Sequence, residues 1–253
     1  MWSSIQSVET PSSFDEALAL GSKPTAALIA GGSYLVREKD STIHSLVNIH
    51  PLLDKNIKLD EHSLYIGAGV SLQNIIDSDL NQTFDGWMIR AIKWSCYSKN
   101  IRNQRTLGGE IAQNRANSEL MVFLRILNPV IHVFNGDNIE ILLHLWDGIG
   151  IITGIHFNLY FKYNLALKRF SVLESAPAYL IICVSILKGE FTISVGGNID
   201  HIFVQTGSMV DIGKGQIDSL TRNIINRFSA DQHGSLDYKQ YLIQHTLIEM
   251  FIP

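Results

Sequence analysis

Apolar residues recur at helical spacing in several segments and in short strand-like runs between them. Phe14, Ala17 and Leu18 share one face of a helix predicted over 13–20, with Ser13 and Glu16 as a capping box and Gly21 as its stop. Ser71 opens a second helix, with Leu72, Ile75, Ile76 and Leu80 on one face, and Trp87–Trp94 reads as a third. Trp87 and Trp94, seven apart, fall on its core side. Ser118 caps a fourth, with Leu120, Phe123, Leu124 and Leu127 turned inward, ending before Pro129. Asp218–Phe228 and Ser235–Phe251 complete the helices, with Asp218 and Ser235 as N-caps.

Strands are predicted at Ala26–Ala30, Ile43–Ile49 and Leu64–Ile66. Val130–Phe134 and Ile139–Leu145 flank Asn135-Gly136-Asp137-Asn138 as a hairpin, and Leu180–Leu187 and Phe191–Val195 pair around Lys188-Gly189. One stretch breaks the pattern. Residues 97–119 are polar, carry adjacent glycines and read as a 23-residue loop, a length that inside an apolar chain is functional or disordered. With no low-complexity linker and no internal repeat, the pattern gives an α+β chain in three packed pieces.

Composition narrows the function. Hydrophobic residues are 46% of the chain and charged residues only 17%, against about 25% in an average soluble domain. Such a chain folds, and much of its surface is polar but uncharged, or covered by a partner. A net charge of −4 and a pI near 6.1 lack the basic face of a nucleic-acid binder. Cys96 and Cys183 cannot build a disulfide framework or supply the four ligands of a conventional iron–sulfur cluster. The most apolar run, Ala178–Leu187, is about half the ~20 residues of a membrane span, and the first residues have no signal-peptide pattern, so a cytoplasmic protein is expected. The nine histidines show no metal-ligand spacing: His44 and His50 are six apart with no third ligand nearby. Cys96 has no His or Asp constellation that would make it a nucleophile.

The chemistry is concentrated at Ala30-Gly31-Gly32-Ser33 and Thr106-Leu107-Gly108-Gly109. Consecutive glycines after a strand let several backbone N–H groups face one anion, because no Cβ blocks the approach. Ser33 and Thr106 place hydroxyls beside them, and two such nests could hold the two phosphates of one dinucleotide. Neither pair fits the G-x-G-x-x-G fingerprint or the G-x-x-x-x-G-K-[ST] phosphate loop. A plain turn is the alternative for each pair, and Gly196-Gly197 shows that such pairs recur in this chain.

Three ordered stretches around these turns, ALIAGGSYLV (27–36), LYIGAGVSLQNII (64–76) and IRNQRTLGGEIAQNRANSEL (101–120), resemble the flavin subunit of the xanthine dehydrogenase and carbon monoxide dehydrogenase family. That family reads approximately AGGTDL, L-x-IGA-x-V and IRN-x-A-T-I-GGN-I-A, then Pro or Ser and an Asp. LDYKQYLIQHTL (236–247) is similar to its terminal YR-x-x-L helix, so the likeness covers nearly the whole chain. It implies a vanillyl-alcohol-oxidase-type FAD-binding fold of two α+β subdomains (1–55 and 56–160) and a C-terminal α+β domain (161–253). It also implies FAD as cofactor. Its pyrophosphate would be wrapped by Ile29, Ala30, Gly31, Gly32, Ser33, Tyr34 and Leu35, and Thr106, Leu107, Gly108, Gly109 and Glu110 would close the other side. Glu119 would take the acidic place near the adenosine, and Lys168 the basic place near the isoalloxazine. A molybdopterin-binding large subunit and a [2Fe-2S] small subunit are the implied partners, and NAD is one implied acceptor; no residue is assigned a catalytic role.

Departures accompany the likeness. Tyr34 stands where many members have Asp, Glu110 replaces the commoner Asn, and Leu173 or its neighbours take the place of an Arg. A carboxylate at 110 must point away from a phosphate or serve the ribose or a partner. The alternative function is therefore a flavin-fold scaffold or assembly subunit without FAD, and a standalone flavin oxidase would need a base that the sequence does not reveal. Lys168 and Arg169 also read as a solvated strand end and Glu119 as a residue favoured by the helix dipole, while Lys99, Arg102, Arg105 and Arg115 read as a solvated loop, the alternative being a face toward a partner subunit or the adenine.

Overall fold

The computed structural model describes residues 2–160 and 164–252. In chain order the elements are β1 (Ser7–Glu9), α1 (Phe14–Gly21), β2 (Ala26–Ile29), α2 (Leu35–Glu38), β3 (Ser45–Asn48), β4 (Ile57–Leu59) and β5 (Ser63–Gly67). Then come α3 (Leu72–Asp77), α4 (Trp87–Ser95), α5 (Lys99–Gln104), α6 (Leu107–Gln113), α7 (Glu119–Leu127), β6 (Val130–Phe134) and β7 (Asn138–Leu142). The last are β8 (Ile151–Asn158), β9 (Asn164–Phe170), β10 (Leu180–Leu187), β11 (Glu190–Gly197), β12 (Phe203–Ser208), α8 (Lys214–Ile225) and α9 (Leu236–Phe251). Two compact units form, one from Met1–Ser78, Ser98–Gln113 and Asn128–Tyr160, the other from Asp79–Tyr97, Asn114–Leu127 and Phe161–Pro253. Each sheet draws its strands from one of the intervals 1–55, 56–160 and 161–253, whereas the middle interval's α4 and α7 belong to the second unit.

The first unit holds a parallel sheet ordered β1-β3-β2 and an antiparallel sheet ordered β4-β5-β8-β6-β7. Helix α1 starts as predicted, Ser13 Oγ accepting the Glu16 N–H. The Glu16 carboxylate closes the box one residue earlier than expected, accepting the N–H and hydroxyl of Ser12 at 2.7 and 2.8 Å. Strand β8, a central strand absent from the sequence prediction, lies between β5 and β6 and buries Ile151, Ile152, Ile155 and Phe157.

The second unit is built on an antiparallel sheet ordered β12-β11-β10-β9. Ile182, Val184, Phe191 and Val195 pack with Ile217, Leu220 and Ile224 of α8 and Ile243 and Leu247 of α9. Lys188 (φ 52°) and Gly189 (φ 81°) form the predicted tight turn, both central residues being left-handed as a type I′ hairpin requires. Gly196 is there for packing: a Cβ would stand 2.2 Å from the Ala116 carbonyl oxygen. Helix α8 begins at Lys214, earlier than predicted, so Asp218 is no cap; its carboxylate accepts Gln244 Nε2–H at 2.7 Å. Trp87 and Trp94 are half-buried, not core, and flank the Arg90 guanidinium at 4.5 and 5.8 Å from the ring centroids.

Lys239 is fully buried, its Nζ 2.7 Å from Asp231 and donating to Ser229 O at 2.8 Å. Bonds from Asn198, Lys239 and the His233 backbone outweigh partial burial and hold the Asp231 carboxyl well below its ordinary value of 3.8. The folded state thus holds the deprotonated form, and its stabilisation is full above the ordinary carboxylate range and fades as pH falls through the lowered pKa. Asp231→Asn is expected to destabilise at pH 7 toward the lower end of the ~3–5 kcal/mol of a broken buried pair. Melting scans between pH 7 and 3 should show its melting temperature falling less steeply with acid than the parent's. No helix among the described residues is long and apolar enough to cross a membrane.

Candidate cofactor-binding site

β2 and β3 run parallel, and the chain leaves β2 at Ile29 through residues 30–34 into α2. Gly32 takes the left-handed conformation, at φ +67°. Among the described residues, the N–H groups of Gly31, Gly32, Ser33 and Leu35 have no acceptor in the chain. These residues are half-buried, so the four donors lie at an accessible lip. Gly31 is needed for close approach: a Cβ would stand 1.7 Å from the Gln104 carbonyl oxygen.

The second glycine pair differs from expectation. The predicted polar loop contains α5 and α6, and Gly108 and Gly109 sit in the first turn of α6 without left-handed backbone. Its amides are already engaged: Leu107 N–H donates to Val70 O, Gly108 N–H to Ala68 O, Gly109 N–H to Thr106 Oγ1 and Glu110 N–H to Thr106 O, all at 3.0–3.1 Å. The expectation of a second backbone nest is corrected on that ground. Gly108 permits packing instead, since a Cβ would lie 2.6 Å from Ala68 Cβ. Leu72 N–H donates to Arg105 O, so 105–108 are stitched to 68–72, joining the second and third motifs of the sequence.

Glu110 points inward. Its side chain is 2% exposed, with a carboxylate oxygen 3.5 Å from Arg105 NH1, and Arg105 Nε donates to Ser33 Oγ at 3.3 Å. The contacts Gly31–Gln104 and Ser33–Arg105 bring Ile29–Leu35 and Thr106–Glu110 together in the first unit. Tyr34 faces Arg37, whose guanidinium stands 5.4 Å from its ring centroid.

Glu119 and Lys168 belong to the second unit. Glu119 is 1% exposed and accepts Arg169 Nε–H at 2.7 Å; burial raises its pKa and Arg169 pulls it back. Lys168 pairs with Glu249, and Leu173 is exposed. Sequence reasoning missed two residues. Arg105, read as part of a solvated cluster, is 8% exposed. His50 follows β3 beside the turn, Ile49 N–H donating to Ile29 O, and its Nδ1 is buried without a partner among the described residues. Burial, then the charge of Lys55, lowers its pKa. The signal available was position: ligands gather at the carboxyl ends of parallel strands.

Known proteins resemble the chain in sequence and in fold. Residues 3–145 match the family described as FAD binding domain in molybdopterin dehydrogenase. The uncharacterized protein YgfM of Escherichia coli K12 is 31% identical over 134 residues, 52% of this chain and 50% of its own. The chain thus spans about half the length of the curated relatives it matches. Carbon monoxide dehydrogenase from Hydrogenophaga pseudoflava shares the fold at a TM-score of 0.77 and 18% identity, over 97% of this chain and 95% of that one. Quinoline 2-oxidoreductase from Pseudomonas putida 86 does so at 0.75 and 15%, over the same shares. A family match over more than half of the chain, on an α+β fold whose glycine turn presents backbone amides, places the protein among the FAD-binding domains of the molybdopterin dehydrogenases.

Proposed function

We propose that this chain is the flavin subunit of a molybdenum-hydroxylase-type complex, passing electrons between an iron–sulfur partner subunit and an acceptor such as NAD. The observation that carries the proposal is the turn after β2, with four N–H donors that have no acceptor among the described residues and a left-handed Gly32 among them. Such a turn suits a dianionic pyrophosphate, which a chain of net charge −4 must hold by backbone dipoles more than by a basic surface. Ile29 to Leu35 would hold the pyrophosphate. Thr106 to Glu110 would support that turn by packing, and Glu119 and Lys168 enter as the adenosine-side and ring-side residues through the family likeness alone. Bound FAD would supply the redox chemistry; the chain supplies binding and orientation. Both cysteines are buried, which fits an iron–sulfur relay and a molybdopterin site on partner subunits.

The test is the visible spectrum of the purified chain before and after added FAD, desalting and dithionite. A flavin spectrum that survives desalting and bleaches on reduction is expected. Gly32→Ala should weaken FAD binding by about tenfold, since an L-residue at its left-handed φ costs ~1–2 kcal/mol. The scaffold reading draws on one observation, the engagement of the 107–110 amides within the chain. A colourless chain that ignores FAD, alone and with its partner subunits, would establish that reading and remove the first.

A further inference from the structure

A buried guanidinium joins the two glycine-bearing stretches. Arg105 Nε donates to Ser33 Oγ at 3.3 Å, and NH1 stands 3.5 Å from Glu110 Oε2, with side chains 10% and 2% exposed. The backbone fixes this place from several directions. Arg105 N–H donates to Ile101 O, Arg105 O accepts from Leu72 N–H, and Gly31 lies against the Gln104 carbonyl with room for no Cβ. Ser33 Oγ, as acceptor to Arg105, keeps its own proton for another acceptor.

We propose that Arg105 is the positioning residue of the anion-binding turn, and that the Arg105–Glu110 pair sets how tightly the turn holds a pyrophosphate. The inference rests on the FAD reading above. Arg105 fixes the lip through Ser33, and its permanent charge adds to the field of the neighbouring amides where little water screens it. Glu110 orients the guanidinium and moderates that field. Arg105 and Glu110 stand where the motif this stretch resembles commonly has Ala and Asn. A carboxylate at 110 by itself would oppose a phosphate; beside Arg105 it becomes the group that aims the cation.

The experiment measures FAD affinity, by quenching of flavin fluorescence at low and high salt, alongside apo-protein melting. The variants are Glu110→Gln and the double variant Arg105→Gln/Glu110→Gln. Glu110→Gln keeps the cation and removes its counter-charge, so it should tighten FAD by about three- to tenfold and steepen the salt dependence. The double variant, neutral at both places, should melt close to the parent yet bind FAD about tenfold more weakly, with a flatter salt dependence. Riboflavin, which carries no phosphate, should bind all three proteins alike. A double variant with parental FAD affinity and salt dependence, or one that weakens riboflavin as much as FAD, would overturn the role of Arg105 and leave the FAD reading standing. A parent chain that binds no FAD would overturn both.

Discussion

Gly31→Ala is expected to cost about 3 kcal/mol or more of stability, at or beyond the top of the range for overpacking, and to abolish FAD retention. The reason is the identity of the atom in the way. The new methyl would sit 1.7 Å from the Gln104 carbonyl oxygen and 2.7 Å from its carbon, so backbone must move, not a side-chain tip. Two other glycines calibrate the result. At Gly32 the nearest atom is the mobile Ile29 Cδ1 at 2.9 Å, and the cost is backbone strain at φ +67°. Gly215, in the first turn of α8 with nothing within 4 Å, has room for a Cβ and should be nearly neutral as Ala. Urea unfolding of the three variants should therefore rank Gly31→Ala far below Gly32→Ala, with Gly215→Ala close to the parent. A Gly31→Ala chain as stable as the parent would show that the turn does not press on the end of α5.

The contrast between the glycine pairs marks how far sequence could reach. A strand running into Gly31-Gly32 was legible, because a short apolar run before a glycine pair has few other solutions. At Gly108-Gly109 the same letters open a helix. What decides is the docking of 107–110 onto Ala68 and Val70, about forty residues upstream, which no local pattern carries. The loop predicted over 97–119 failed for a related reason. Helices α5 and α6 are too short to show an apolar period and are held by Gln73, Val70 and Ala68 more than by their own propensity. Caps read better than starts without caps: Ser13, Ser71 and Ser235 each accept the N–H three residues on, whereas the residue before α8 is Gly213, which has no side chain to signal a start. Charge was the least legible layer. Arg105, Glu110, Glu119 and Arg169 look like surface residues in sequence and are buried as pairs, because each finds its partner only through the fold.

The second of these pairs yields a large stability effect with its own pH signature. Arg169 Nε donates to Glu119 at 2.7 Å, while NH1 and NH2 donate to the carbonyls of Glu174 and Ala176 at 2.7 and 2.6 Å. With side chains 8% and 2% exposed, Arg169→Ala strands a buried carboxylate and two carbonyls, so a loss of about 3–5 kcal/mol is expected at pH 7. Glu119→Gln should cost less, since its amide oxygen can still accept and Arg169 keeps both carbonyls. Burial already raises the Glu119 pKa, and removing the cation raises it further. A carboxyl whose folded pKa lies above its unfolded value is favoured in the fold when protonated; that contribution is complete below the unfolded pKa and disappears as pH rises through the folded one. The gap in stability between Arg169→Ala and the parent should therefore narrow from pH 7 toward pH 5, which urea titrations at both values would read. A gap that stays constant would mean the loss comes from the two carbonyls and not from Glu119. FAD affinity of Glu119→Gln separates the remaining role: unchanged binding makes Glu119 the anchor of α7 alone, and weakened binding in a chain that melts like the parent would place it on the adenosine.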